Sequence, residues 1–98
     1  MRSNKFRWSR VYESSEEELL QFLNDRSIEA ARMHLEELVK TDGTVAEADT
    51  TLFCVDGSMS VTINDQRIAA QAGDALKITS GQAYYIDSGF AGCTYYLG

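Results

Sequence analysis

The chain has 98 residues and a formal charge of −6, from nine lysines and arginines against fifteen acids. This length leaves little room for a second hydrophobic core, so we predict one domain, 1–98. The acidic balance argues against a nucleic-acid partner, because phosphates would be repelled. No apolar run approaches the roughly 20 residues that cross a bilayer, and the N-terminus lacks the apolar region of a secretory signal. We therefore expect no membrane partner and a cytoplasmic location.

The basic residues are concentrated at the N-terminus. Four of the nine lie in the first ten residues, where no acid occurs, so the rest of the chain carries five bases against fifteen acids, a net −10. The four are Arg2, Lys5, Arg7 and Arg10. Such an arm either docks on its own domain, docks on a neighbouring subunit, or is a solvated strand. The sequence leaves these alternatives open.

Residues 1–27 are predicted to form a strand and a helix. Residues Phe6 to Tyr12 alternate in the manner of an edge strand. Ser14 or Ser15 then provides an N-cap, and Glu16 to Glu18 complement the positive end of a helix dipole. Leucines and a phenylalanine make one apolar face after this acidic turn. We predict a short amphipathic helix from Ser15 to about Asn24.

The segment from Ile28 to Lys40 has two interpretations. Its apolar residues fit a helical face, and its composition favours helix. With period two, Arg32 and His34 share one face of a strand, while Met33 and its neighbours share the other. Periodicity alone favours helix. The family resemblance described below favours strand, which we adopt.

Residues 28–98 are predicted to form a β-barrel of short strands. Each strand is rich in β-formers and is followed by a turn signal. Tyr84-Tyr85 and Tyr95-Tyr96 each place one ring on either side of a strand, and we expect one ring of each pair in the core and the other outside or in an interface. The turn signals are Asp56-Gly57, Asn64-Asp65, Gly73-Asp74, Ser80-Gly81 and Ser88-Gly89. This spacing predicts a mainly β sandwich or barrel.

The glycine spacing resembles that of the cupin family, which are small jelly-roll β-barrels. Gly73 and Gly81 match the second cupin motif, and Gly57 matches the end of the first. The resemblance covers roughly Ile28 to Leu97. It implies a double-stranded β-helix with one short N-terminal helix, and a homodimer. The basic aromatic arm also provides a reason for dimerisation, if it adds to a sheet edge of the partner.

The residues that hold the metal in this family are absent. Thr50 stands at the position of the usual glutamate, Tyr84 at that of a histidine, and Ser88 at that of an asparagine. The paired histidines would fall near Thr44 and Ala46, and the chain has a single histidine, His34. A multi-histidine site within one subunit is therefore excluded. We expect no metal and no cofactor.

The same register predicts a ligand cup. Thr50, Tyr84 and Ser88 would face the barrel mouth, and Leu52, Cys54 and Ile86 would lie below them by period-two alternation. Such an apolar cup with hydroxyl groups is the usual form of a small-molecule site. The alternative is that the barrel is filled by its own side chains. Cys54 and Cys93 are expected to be free, buried thiols without an activating base.

Arg32 and His34 complete the candidate site. The family includes metal-free members resembling sugar epimerases, in which a histidine base and a tyrosine acid act across the barrel, so His34 and Tyr84 form the analogous pair. The alternative is a satisfied surface histidine. Arg32 would bind an anionic group of the ligand or pair with a surface glutamate.

Three functional hypotheses follow. The first is a metal-independent cupin that binds a small organic ligand as a homodimer. The second is an isomerase- or lyase-like enzyme that uses His34 and Tyr84. The third is a solid-packed structural or interaction module.

Overall fold

The computed structural model describes residues 5–9 and 15–98. Within these residues the chain forms one helix and seven strands, and no helix is long and apolar enough to cross a membrane. In chain order the elements are β1 Lys5–Arg7, α1 Glu16–Asp25, β2 Ala31–Leu35, β3 Thr44–Val45, β4 Thr50–Ile63, β5 Gln66–Gln71, β6 Asp74–Ile78 and β7 Ala83–Leu97. The mainly β class and the single short helix predicted from the sequence are confirmed in this part of the chain.

The strands form one antiparallel sheet that folds over on itself into two layers. The two long strands, β4 and β7, run through both layers and pair along most of their length. The first layer has the order β1-β6-β4-β7-β2. In the second layer, β5 pairs with the later half of β4, and β3 pairs with the start of β7. This is the jelly-roll arrangement expected from the glycine spacing.

Gly57 lies in the bend of β4 and not in a hairpin turn. Its φ is +75°, and a Cβ atom there would collide with the carbonyl oxygen of Gly92 on β7. The pairing of β4 with β7 shifts register on both sides of this residue. A bulge of this kind bends a strand without ending it. The predicted hairpin at Asp56-Gly57 is therefore wrong, and so is the break at Ser88-Gly89, which lies within β7.

Asn64-Asp65 is a true hairpin turn. Both residues have positive φ, 47° and 69°, as a two-residue turn of type I′ requires. The turn joins β4 to β5 in a regular ladder from Ile63 and Gln66 to Ser58 and Gln71. The predicted turn and the strand after it are confirmed.

The space between the layers is filled by apolar side chains from both. Tyr95 and Leu52 contribute from the first layer, and Val61 and Ile86 from the second. The buried cluster is Ala46, Leu52, Cys54, Met59, Val61, Ile63, Ala70, Leu76, Ile78, Ile86, Cys93 and Tyr95, with Tyr84 and three aliphatic residues packed against it. This inner core stabilises the stacking of the two layers by removing apolar surface from water.

A second apolar cluster lies between α1 and the outer face of the first layer. Leu19 and Leu23 of the helix pack with Phe53 and Tyr96 of the sheet. The Ser15 hydroxyl accepts a hydrogen bond from the Glu18 N–H, which is the predicted N-cap. The helix is confirmed. Tyr95 lies in the inner core and Tyr96 in this second cluster, so the two rings of the pair lie on opposite sides of β7.

The strand interpretation of residues 28–40 is confirmed for Ala31–Leu35. This strand pairs with the end of β7, from Ala31 opposite Leu97 to Leu35 opposite Cys93. The long edge of β7 supplies backbone partners that a sequence pattern does not display, and they outweigh helix propensity. The segment 36–39 that follows, named the strap, crosses to the second layer, where Ser88 N–H donates to the Val39 carbonyl at 2.8 Å.

The N-terminal arm docks on its own chain. Its strand β1 pairs with β6, with Lys5 opposite Leu76 and Arg7 opposite Asp74. The Arg7 guanidinium donates to the buried Asp74 carboxylate at 3.2 Å, and Trp8 Nε1 donates to the Cys54 carbonyl at 2.9 Å. The described part of the basic arm, residues 5–9, therefore docks on its own domain, which is one of the three alternatives left open by the sequence. The remainder of the predicted strand, residues 10–12, lies outside the described residues.

Candidate functional site

The positions that hold the metal in the cupin family carry hydroxyl groups here, and those of Thr50 and Ser88 are already hydrogen-bonded within the chain. Thr50 Oγ1 donates to the Ala48 carbonyl at 2.9 Å. Ser88 is bonded to the strap, and Tyr84 packs against the inner core. Neutral hydroxyls without imidazole or carboxylate partners are poor ligands for the transition metals of this fold. In residues 5–9 and 15–98, no three His, Cys, Asp or Glu side chains group as metal ligands, so the donor set does not fit a metal.

Ser88 fastens the strap to the second layer. Its hydroxyl donates to the Glu36 carbonyl at 2.6 Å and accepts from the Val39 N–H at 2.7 Å. The side chain is buried, and both hydrogen bonds satisfy backbone groups that are partly shielded from water. The hydroxyl predicted to orient a ligand is therefore occupied by the protein itself.

The apolar residues predicted to line the cup are packed in the inner core. Leu52, Cys54 and Ile86 are at most 2% exposed. Cys54 and Cys93 are free thiols, as predicted. Burial raises the pKa of the Cys54 thiol to about 12 and that of the Cys93 thiol to about 11, so both stay protonated and unreactive at neutral pH.

Arg32 lies on the outer face of the first layer and ties the sheet to α1. Its Nε donates to Glu16 Oε2 at 2.7 Å, and the Tyr96 hydroxyl donates to the same oxygen. The hydrogen bond from Arg32, followed by that from Tyr96, lowers the pKa of the Glu16 carboxyl. This contact agrees with the second of the two roles expected for Arg32, an ion pair with a surface glutamate.

His34 lies on the same outer face as Arg32, next to Thr94. Its Nδ1 is 3.0 Å from the Thr94 hydroxyl oxygen, and its Nε2 is 4.0 Å from Glu36 Oε1. Tyr84 packs against the inner core on the other side of the sheet. The structure therefore does not bring His34 and Tyr84 together, and general acid–base chemistry requires both within hydrogen-bond reach of one substrate.

A cavity of about 590 Å³ opens on the outer face of the second layer, and we name it the outer groove. Three small side chains that face away from the inner core, Ser58, Ser60 and Ala69, form its floor. Its other lining residues include Arg67 and Gln71 on β5, Asp87 and Phe90 on β7, Lys5 on the arm and Leu38 on the strap. The depression forms because these small side chains on β4 and β5 are surrounded by longer ones.

The outer groove could not be predicted from the sequence, because its lining residues come from separate strands. Alternation in β4 already placed Met59, Val61 and Ile63 on one face, so Ser58 and Ser60 had to share the other. The register that brings Ala69 and Asp87 to either side of Ser60 is a tertiary property. A separate cavity of about 360 Å³ borders Tyr84 and Tyr85, and Leu52, Cys54 and Ile86 line neither cavity.

No family model and no curated protein matches the sequence. Solved structures do match the fold. The cupin domain of Schizosaccharomyces pombe Cnp3 has a TM-score of 0.66 at 14% identity over 69% of this chain and 51% of that chain. Drosophila melanogaster CENP-C bound to CAL1 has a TM-score of 0.64 at 16% identity over 69% and 62%.

A cupin-2 domain-containing protein from Shewanella frigidimarina also matches, with a TM-score of 0.58 at 18% identity over 67% of this chain and 63% of that chain. The aligned part of this chain corresponds to between half and two thirds of the length of these three structures. At such low identity the similarity concerns the fold alone.

Proposed function

Given that the chain has a cupin fold, we propose that it is a metal-independent binding domain whose ligand is a small organic molecule held in the outer groove. One observation carries the proposal: a depression of about 590 Å³ floored by Ser58, Ser60 and Ala69. Its volume lies in the range of roughly 300–1,000 Å³ typical of small-molecule sites. The barrel interior, where we first expected the ligand, is filled by the inner core.

The lining of the outer groove has the chemical variety that ligand recognition needs. Hydroxyls, an amide, a guanidinium, an ammonium and two carboxylates border the cavity beside exposed apolar side chains. Phe90 is 84% exposed and Leu38 67% exposed, although both are large hydrophobic residues. Exposed apolar surface rimmed by polar groups often marks a binding site.

The proposal is tested by screening polar and amphipathic small molecules against the whole chain by amide NMR. A ligand of the outer groove should shift the amides of Ser58, Ser60 and Ala69. Ala69→Phe fills the floor and should weaken binding at least tenfold, because the side chain would occupy the ligand volume. Ala83→Phe makes the same change at another exposed strand position and should leave binding unchanged.

Two results would contradict this function. One is a screen in which no compound perturbs the outer groove at millimolar concentration. The other is a set of ligands that shift Leu52, Cys54 and Ile86 while the groove amides stay in place, which would return the site to the barrel interior. Binding should also be indifferent to a metal chelator.

A second candidate is a protein-interaction module, the third of the sequence hypotheses. Its support is the apolar filling of the barrel and the fold similarity to CENP-C, whose matched structure is described as bound to CAL1. We propose a homodimer for the ligand-binding domain as well as for this second candidate. The arm pairs with β6 of its own chain. We therefore propose that the dimer forms through the edge strand β2 and not through the arm.

A further inference from the structure

We infer that the outer groove recognises a free α-amino acid with an apolar side chain. This inference rests on the proposed small-molecule function and adds the chemical class of the ligand. It is drawn from three features of the groove: two opposite charges on separate strands, a floor of small hydroxyl residues, and an exposed apolar wall.

The first feature is the pair formed by Arg67 on β5 and Asp87 on β7. The two residues flank β4, where Arg67 is opposite Thr62 and Asp87 is opposite Ser60. Two strand spacings of about 4.8 Å separate them across the sheet, and a two-residue offset adds roughly 6.7 Å along the strands, a distance that the long Arg67 side chain can shorten. Neither side chain has a hydrogen bond or ion pair with any residue in the described part of the chain. They are placed to meet a ligand between them.

The charges of the lining favour a zwitterion over a simple ion. Lys5 and Asp74 also border the groove, but they lie 4.0 Å apart as an ion pair, and Lys5 Nζ donates to the Ala69 carbonyl as well. One cation and one anion, Arg67 and Asp87, remain for the ligand. A ligand with a single charge would cover one of these groups without pairing it, which costs desolvation energy. An ammonium and a carboxylate satisfy both.

The small side chains of the floor leave room for the ammonium and carboxylate of the ligand to approach the sheet closely. Ser58 and Ser60 present short hydroxyls, and Ala69 presents a methyl group. A planar guanidinium such as that of Arg67 binds a carboxylate through two parallel hydrogen bonds. Asp87 accepts from the ammonium, and the serine hydroxyls donate or accept as the ligand requires.

The apolar wall selects the side chain of the ligand. Leu38 and Phe90 come from segments 52 residues apart in sequence, but the Leu38 N–H donates to the Gly89 carbonyl at 3.1 Å, which holds the strap against the bulge of β7. Leu38 has a φ of 54°, a conformation a leucine seldom adopts. The strap thus presents an exposed leucine at the groove. An aliphatic or aromatic ligand side chain covers both residues and removes their surface from water.

The test uses the whole chain and L-leucine as the probe, followed by amide NMR and calorimetry. L-Leucine should shift amides of Ser60, Ala69 and Asp87. Three analogues each lack one feature: L-leucinamide lacks the carboxylate, N-acetyl-L-leucine lacks the ammonium, and glycine lacks the apolar side chain. Each should bind roughly tenfold more weakly or worse, the loss expected for one charged hydrogen-bonding contact or one buried side chain.

Two variants assign the charges to their partners. Arg67→Gln should abolish the preference for L-leucine over L-leucinamide, and Asp87→Asn should abolish the preference over N-acetyl-L-leucine. Arg26→Gln at the C-cap of α1 and Asp42→Asn in a loop make the same charge changes outside the groove and should retain both preferences. Circular dichroism verifies that all four variants are folded.

The inference is overturned if L-leucine binds no better than its analogues, or if Arg67→Gln and Asp87→Asn retain both preferences. It is also overturned if L-leucine leaves the groove amides unmoved while another compound of the screen shifts them, and in that case the proposed function survives. If neither L-leucine nor any other small molecule shifts them, the proposed function fails together with the inference.

Discussion

At the scale of single residues, Ser88 shows how a motif position changes its role. The cupin register predicts a hydroxyl at the barrel mouth, and the structure places that hydroxyl under the strap. Its acceptor, the Glu36 carbonyl, is 52 positions away in sequence, and its donor, the Val39 N–H, is 49 positions away. The residue type suits both roles, because a serine hydroxyl donates and accepts equally well.

We predict that Ser88→Ala destabilises the fold by about 1–3 kcal/mol, because it leaves the Val39 N–H and the Glu36 carbonyl without a side-chain partner in a partly shielded place. The free energy of unfolding in urea measures this effect. Ser80→Ala is the matched control, since the Ser80 hydroxyl makes one exposed hydrogen bond, to the Glu47 carbonyl, and its removal should cost less than about 0.5 kcal/mol. Equal losses in the two variants would contradict the role given to Ser88.

At the scale of elements, local signals were sufficient for the helix. The N-cap Ser15, the acidic first turn and the leucines lie within ten residues of one another, so their interactions are visible in the sequence. The strands were harder to delimit. Glycines that looked like hairpin turns are bends inside β4 and β7, because the partner strand, and not the dipeptide, decides whether the ladder continues.

The docking of α1 on the sheet should depend on pH through Glu16. Hydrogen bonds from Arg32 and Tyr96 lower the pKa of Glu16 in the folded state below its unfolded value. The stabilisation is therefore present above the unfolded pKa of about 4.3 and is lost as the pH falls through the lower folded value. The pair is half exposed, so we expect a small effect that salt weakens further.

Unfolding free energies of the wild type and of Glu16→Gln, measured between pH 7 and pH 3, check this prediction. The wild type should be the more stable at pH 7, and the difference should shrink towards pH 3. Glu17→Gln removes the neighbouring exposed carboxylate of the same helical turn but keeps Glu16, so its stability should follow the pH dependence of the wild type. A difference between wild type and Glu16→Gln that stays constant over the whole range would contradict the assignment.

At the scale of the whole molecule, the arm and β2 determine which edges remain open. The arm covers the edge of β6, and its Arg7 and Lys5 neutralise the buried Asp74. Among the described strands, β1, β2, β3 and β5 each pair with one neighbour, and β2 combines such an edge with mostly exposed side chains, including Met33 at 41%. Unprotected strand edges of this kind pair readily with a second copy about a two-fold axis.

If the proposed homodimer forms through β2, sedimentation of the whole chain should give twice the monomer mass at micromolar concentration. Met33→Lys should shift the equilibrium to monomer, because lysine opposes edge-to-edge pairing. Leu20→Lys introduces the same charge at an exposed apolar residue of α1 and should leave the dimer intact. A monomer at every concentration, or dissociation by Leu20→Lys alone, would contradict this interface.

The sequence by itself determined the mainly β class, the helix and the alternation of strand faces, because each of these depends on residue type and on neighbours a few positions away. It also indicated the cupin fold through Gly57, Gly73 and Gly81. The tertiary structure decided that the interior is filled, that Ser88 and Arg32 bond to the protein itself, and that a groove exists where Ser60 meets Ala69 and Asp87. These outcomes depend on pairings between distant segments, whose register is set by the whole core at once.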